Sequence, residues 1–131
     1  MLIGNAAAAI QGAPVTTLDV DFMFRDTPAN LAKLTRLCRR LDAVVLRPFY
    51  PVSRLYRMTA DAIGLQVDFM PVIHGVRSFE SLRSRAVVID VDGRTLLTAS
   101  LDDIILHRLA LPVEARMNFL RRRLPGGGSS L

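Results

Sequence analysis

The chain is short of the residues that staple small proteins together or hold soft metals. It has one cysteine, two histidines and a single lysine in 131 residues. A lone thiol at Cys38 excludes an internal disulfide and cannot complete a structural zinc site unaided, so it reads as a core thiol. His74 and His107 are far apart and lack ligand spacing, so each reads as a satisfied surface or core histidine. No apolar run approaches the roughly 20 residues of a bilayer span. Met1-Leu2-Ile3 has no basic flank and is too short for a secretory leader. A cytoplasmic protein without membrane contact is the expectation.

What is present is a globular composition, with 50% hydrophobic and 22% charged residues. That length and balance fit one domain with a single core. The domain is expected over residues 1–124, and the Gly/Ser-rich stretch 125–131 reads as a flexible tail. The net charge is +5 and nearly all of the positive charge is arginine, Lys33 being the only lysine. The arginines are scattered rather than blocked. They read first as a solvated surface and second as an attraction for nucleotides or RNA.

Local patterning predicts an α/β (α+β) fold, a mixed β-sheet flanked by helices. Residues 1–4 read as the end of a buried strand, and Asn5 to Gln11 as a short helix stopped by Gly12. A strand is expected over 17–24. Thr27-Pro28 supplies an N-cap and a first-turn proline for a helix whose Leu31, Leu34, Leu37, Cys38 and Leu41 share a face. Strands are expected at 43–47, 54–59 and 65–70, the last two joined by a turn over 61–64. Asp92-Gly93 between apolar runs marks a tight hairpin, which accounts for Asp90 and Asp92 as turn residues. Ser100-Leu101-Asp102-Asp103 is a helix-capping pattern for a helix over 101–111, and a final helix is expected at 113–124.

The chemistry concentrates in two acidic stretches. In Thr17-Leu18-Asp19-Val20-Asp21-Phe22, alternation along a strand puts Asp19 and Asp21 on one face, roughly 6.5–7 Å apart, with Leu18, Val20 and Phe22 packed behind. Paired carboxylates suit Mg²⁺, which keeps several waters and is completed by substrate phosphates, and this points to a nucleotide. In Leu65-Gln66-Val67-Asp68-Phe69-Met70, an acid stands inside an apolar strand, where a charge is costly without a partner. Asp68 is the natural third ligand if this strand lies beside 17–24.

The order Gly4-Asn5, Thr17-x-Asp19-Val20-Asp21, Val67-Asp68-Phe69 and Ser100-Leu101-Asp102-Asp103-Ile104-Ile105 with Arg108 resembles the nucleotidyltransferase superfamily typified by polymerase beta. Within it the chain is most similar to small bacterial proteins related to abortive-infection and toxin–antitoxin nucleotidyltransferases. The resemblance covers roughly residues 2–111 and rests on the ordered combination of short motifs. It implies that an NTP is the substrate and that Mg²⁺ or Mn²⁺ is bound by Asp19, Asp21 and Asp68 as two ions. It implies that a nucleoside monophosphate passes to a hydroxyl on RNA or protein. By position Gly4 and Asn5 would grip the triphosphate, with Thr17 also binding the nucleotide and Arg108 close to a substrate phosphate.

The chain departs from the pattern at three places. Asn5 stands where relatives have a second Gly or Ser, Val15 where they often have Arg, and Pro112-Val113-Glu114-Ala115-Arg116 where a Lys-Asp pattern is common. Two readings follow from the resemblance and its departures. One is an active nucleotidyltransferase, as part of a toxin–antitoxin or phage-defence system. The other is a catalytically degenerate module that has kept the fold to bind a partner protein or a second copy of itself.

Overall fold

The computed structural model describes residues 1–46, 55–71 and 78–111. Its elements in chain order are β1 (Leu2–Ile3), α1 (Gly4–Ile10), β2 (Val20–Met23), α2 (Pro28–Arg40), β3 (Val44–Leu46), β4 (Tyr56–Ala60), a 3₁₀ turn (Asp61–Ile63), β5 (Leu65–Met70), α3 (Phe79–Ser84), β6 (Val87–Val91), β7 (Arg94–Thr98) and α4 (Leu101–Ala110). The strands form one mixed sheet in the order β3-β4-β5-β2-β1-β7-β6. β2 runs parallel to β5 and β1 parallel to β7, and the remaining neighbours are antiparallel. The expected mixed sheet flanked by helices is what the chain forms.

Two apolar layers sandwich the sheet. Leu34 and Cys38 of α2 pack on Met58 and Val67, the face of β4 and β5 that alternation turns away from Arg57 and Asp68. Ala7 and Ala8 of α1, Leu82 of α3 and Ile104 of α4 pack with Leu2, Ile3 and Met23 in the second layer. Cys38 is buried and free, as a core thiol should be. Thr27 caps α2, its hydroxyl accepting from the Asn30 amide, with Pro28 in the first turn. Gln11, at the end of α1, donates to the carbonyls of Ala7 and Ala99 and so ties this helix to the start of α4.

The β6–β7 hairpin turns at Asp92 and Gly93, both with positive φ, as a two-residue turn of the primed type requires. Asp90 closes it, its Oδ1 accepting from the Gly93 amide at 3.1 Å. α3 is absent from the sequence expectations. Its signal is Ser78, whose hydroxyl caps the helix by accepting from the Ser81 amide, but six residues are too few for an apolar period to show. Arg25, just beyond β2, pairs with Glu80 and lies 5.3 Å from the Phe79 ring centre, joining the end of β2 to α3. The expectations for His74, the helix at 113–124 and the tail at 125–131 lie outside the described residues.

α4 begins as its capping pattern predicts. Ser100 Oγ accepts from the Asp103 amide and donates to Asp103 Oδ2 at 2.9 Å. Asp103 is 4% exposed and is held by Arg85 from the end of α3, with Nη2 to Oδ1 at 2.7 Å. The Arg85 guanidinium, with help from Ser100, keeps this carboxyl below its ordinary value against the opposing effect of burial. An acid with a depressed folded pKa contributes stability that is complete at neutral pH and is lost as pH falls through the folded pKa. Asp103→Ala is therefore expected to cost about 2 kcal/mol in urea denaturation at pH 7, the range for hydrogen bonds to a charged group. The difference from the parent should shrink in strong acid.

Candidate active site

The register of the sheet builds the site. The Asp61–Gly64 turn pairs Ala60 with Leu65, and counting back along that hairpin sets Arg57 opposite Asp68. β5 runs parallel to β2 with Asp68 beside Asp21, and β1 brings Ile3 beside Asp21 on the other edge. Arg57, Asp68, Asp21 and Ile3 therefore form one row across four strands. β5 does lie beside β2, as the third-ligand argument requires.

Asp19 and Asp21 are not both strand residues. β2 starts at Val20, so Asp19 closes the preceding loop. Thr17 shapes that loop, its hydroxyl bonding both the carbonyl and the amide of Asp19. The Asp19 carboxylate is steadied from β5, Oδ1 accepting from Gln66 Nε2 at 3.2 Å. The expectation that Leu18 packs behind the acids is overturned, because Leu18 is 98% exposed. With the ladder beginning two residues later, nothing turns its side chain toward the sheet. Val20 and Phe22, inside the ladder, do pack against the apolar layers.

Asp68 is 7% exposed, and both of its oxygens are bonded. Arg57 Nε donates to Oδ1 and Nη2 to Oδ2, each at 2.8 Å, the bidentate fork that is the strong form of an arginine–carboxylate pair. Sequence reasoning missed both Arg57 and Gln66. The signal for Arg57 was available, since a hairpin centred on 61–64 fixes 57 opposite 68.

Asp21 carries the electrostatic load of the site. Its carboxyl is pushed up from 3.8 to about 6, first by burial, then by the negative charges of Asp68 and Asp19, with Arg57 pulling weakly the other way. Gly4 is fitted against it. A Cβ on Gly4 would stand 2.7 Å from Asp21 Oδ2, and Gly4 holds φ at +67°, so both space and backbone call for glycine here. Next to it, the buried Asn5 Oδ1 accepts no hydrogen bond. Arg108 sits half-buried in the last turn of α4, which packs against α1.

The donor set fits a hard divalent cation in part. Asp19 and Asp21 offer carboxylate oxygens, and a cation would favour the ionised Asp21 that burial first, and the charges of Asp68 and Asp19 second, disfavour. Each Asp68 oxygen accepts one Arg57 donor and keeps a further lone pair. Among the described residues, no group of three or more His, Cys, Asp or Glu forms a ready metal cage. A cavity of about 390 Å³ lies beyond the far end of β2, between Leu34 and Lys33 of α2 and Phe79 and Arg83 of α3, and none of the expected site residues lines it.

Over 93% of this chain and 79% of the other, the structure superimposes with a TM-score of 0.65 on a crystal structure from Thermotoga maritima described as "a putative nucleotidyltransferase". The fold is nucleotidyltransferase-like. At 19% identity the likeness is one of fold. No protein-family model matches the sequence, and no curated protein does. Among the described residues, no helix is long and apolar enough to cross a membrane.

Proposed function

We propose that the chain is a metal-dependent nucleotidyltransferase that moves a nucleoside monophosphate from an NTP to a hydroxyl acceptor. One observation supports this reading above the others. On a nucleotidyltransferase-like fold, a carboxylate with a pKa near 6 lies between two more acids, against a glycine whose missing side chain leaves it room. A cluster of like charges is unfavourable in an empty protein, and such clusters gather where a cation or a reaction uses them.

In this reading Asp19 and Asp21 hold Mg²⁺ or Mn²⁺. The bound ion supplies positive charge to the triphosphate and to the pyrophosphate that leaves. Asp68 is held by Arg57 beside Asp21. Thr17 and Gln66 hold Asp19 at the mouth of β2 so that its carboxylate faces the same side as Asp21. Gly4 and Asn5 border the triphosphate, and Arg108 meets a phosphate from α4. The acceptor oxygen bonds to the α-phosphorus as the bond to the β-phosphate oxygen breaks. RNA or protein is the acceptor, within a toxin–antitoxin or phage-defence pair.

The test is transfer of label from each α-³²P-NTP, with Mg²⁺ or Mn²⁺, to total RNA or to protein. Label should appear with the parent chain and fall on the order of 10³-fold in Asp19→Asn and in Asp21→Asn, as loss of several kcal/mol of charge stabilisation implies. Labelling that survives both substitutions rejects the proposal. The Arg57–Asp68 pair favours a second reading, a binding module whose third acid has been neutralised. That reading predicts no turnover with any NTP, and robust pyrophosphate release rules it out.

A further inference from the structure

We infer that the outer edge of β6 is an interface between two copies of this chain, paired strand to strand and antiparallel about a two-fold axis at Ile89. β6 ends the sheet order, and its sequence Val-Val-Ile-Asp-Val holds no proline or lysine to blunt the edge. Among the described residues, none pairs with its outer side. The other edge strand, β3, is three residues long and runs on into residues outside the described set.

The hairpin fixes which groups the β6 edge offers. Across a two-residue turn the flanking residues, Val91 and Arg94, exchange both backbone hydrogen bonds, and the alternation of an antiparallel ladder then makes Ile89–Leu96 and Val87–Thr98 the next bonded pairs. The amides and carbonyls of Val88 and Asp90 therefore point away from β7, out of the sheet. The same alternation shows on the other side of β7, where the Ala99 amide donates to the Leu2 carbonyl of β1.

A second copy meets this edge group for group. With Ile89 opposite its own counterpart, Val88 falls opposite the partner's Asp90 and Val87 opposite the partner's Val91, so every residue of β6 is paired. Val88 and Asp90 are the residues whose backbone groups face outward, so each exchanges both backbone bonds with its opposite number. Val87, Ile89 and Val91 of each copy join into one apolar row across the contact, and it covers Val87 and Val91, each 40% exposed in the single chain.

Charge selects the antiparallel direction. Arg83 and Arg85 precede β6, Arg85 also holding Asp103, while Asp90 and Asp92 stand at its turn and Arg94 lies one strand back on β7. Antiparallel pairing brings the basic end of one copy to the acidic end of the other, whereas parallel pairing would set Asp90 against its own counterpart. The contact is isologous and closes as a dimer. Asp21 on β2 lies three strands from this edge, roughly 14 Å at about 4.8 Å per strand, so the candidate active site stays open.

The test joins disulfide trapping to sedimentation equilibrium of the full chain. Ile89→Cys should give a disulfide-linked dimer on mild oxidation, because the two Ile89 positions form a non-bonded pair with Cα atoms about 4.5 Å apart, within disulfide reach. Val87→Cys alone should not, since its counterpart lies about 14 Å away along the strand, but mixed with Val91→Cys it should. The parent, whose Cys38 is buried, supplies the background. In sedimentation over about 10–500 μM, a range suited to a small interface, the parent should pass from monomer to dimer and Val88→Pro should stay monomeric. Proline there removes an outward N–H and no bond of the β6–β7 ladder. A parent that stays monomeric throughout, a dimer that Ile89→Cys does not lock, or a folded Val88→Pro that still dimerises overturns the inference. If Val88→Pro fails to fold, the cysteine variants decide. None of these outcomes touches the nucleotidyltransferase reading, whose residues lie elsewhere.

Discussion

Asp21→Asn is expected to stabilise the empty protein while removing the proposed cation-dependent nucleotide binding. The Asp21 carboxyl lies at about 6, above its ordinary 3.8, because burial and the charges of Asp68 and Asp19 disfavour ionisation. An acid whose folded pKa exceeds its unfolded value binds its proton more tightly when folded. Stability therefore falls as pH rises from about 4 to about 6, and the penalty is complete above that window. A gap of roughly two pH units corresponds to about 3 kcal/mol as an upper figure, and about 1–3 kcal/mol is the expected gain from removing the charge at pH 7. Urea denaturation of both proteins at pH 7 and near pH 4 checks this. The variant should be the more stable at pH 7, and the two should converge in acid, where Asp21 carries its proton. A variant less stable than its parent at pH 7 would show that the carboxylate is compensated in the empty site. The opposite effects on stability and binding are the mark of a group retained for function at a cost to the fold.

Gly4→Ala is expected to damage the same site through its backbone and its volume together. At φ +67° an alanine costs about 1–2 kcal/mol from the clash of its Cβ with the backbone. The new methyl also overlaps Asp21 Oδ2, 2.7 Å away, and the carboxylate must turn aside. Nucleotide affinity in the presence of Mg²⁺ should fall more than about tenfold, the effect of losing 1.4 kcal/mol from a charged contact. Gly12→Ala supplies the control. Gly12 also has a positive φ, +88°, but no atom lies within 4 Å of its added Cβ. It should lose stability by a similar amount and keep its nucleotide affinity. Equal losses of affinity in the two variants would mean that Gly4 serves only the turn.

The elements with strong local signals were legible in the sequence. Thr27-Pro28 opens α2, Asp92-Gly93 turns the β6–β7 hairpin, and Ser100 with Asp103 caps α4, each through chemistry confined to a few adjacent residues. β5 was legible from its apolar run, and Asp68 stood out as a charge that needs a partner. The identity of that partner was harder to read. Within the fold that partner is Arg57, which lies 11 residues away in sequence and directly opposite in the ladder. Only the register of the hairpin connects the two. Asp19 shows the limit of period-two reasoning at a strand end, since alternation holds only where neighbouring strands impose it, and Leu18 escapes the pattern altogether. α3 was hidden because one and a half turns carry no readable period.

The claim at the centre of this account is that Asp19 and Asp21 form a cation-dependent nucleotide site beside Gly4. Its most direct test is calorimetric titration of each NTP, with Mg²⁺ or Mn²⁺ and without either, into the parent chain and the Asp19→Asn/Asp21→Asn double variant. Binding should require the cation, be seen with the parent, and be lost in the variant while the variant stays folded. Absence of binding under every condition, or equal binding by the double variant, would contradict it.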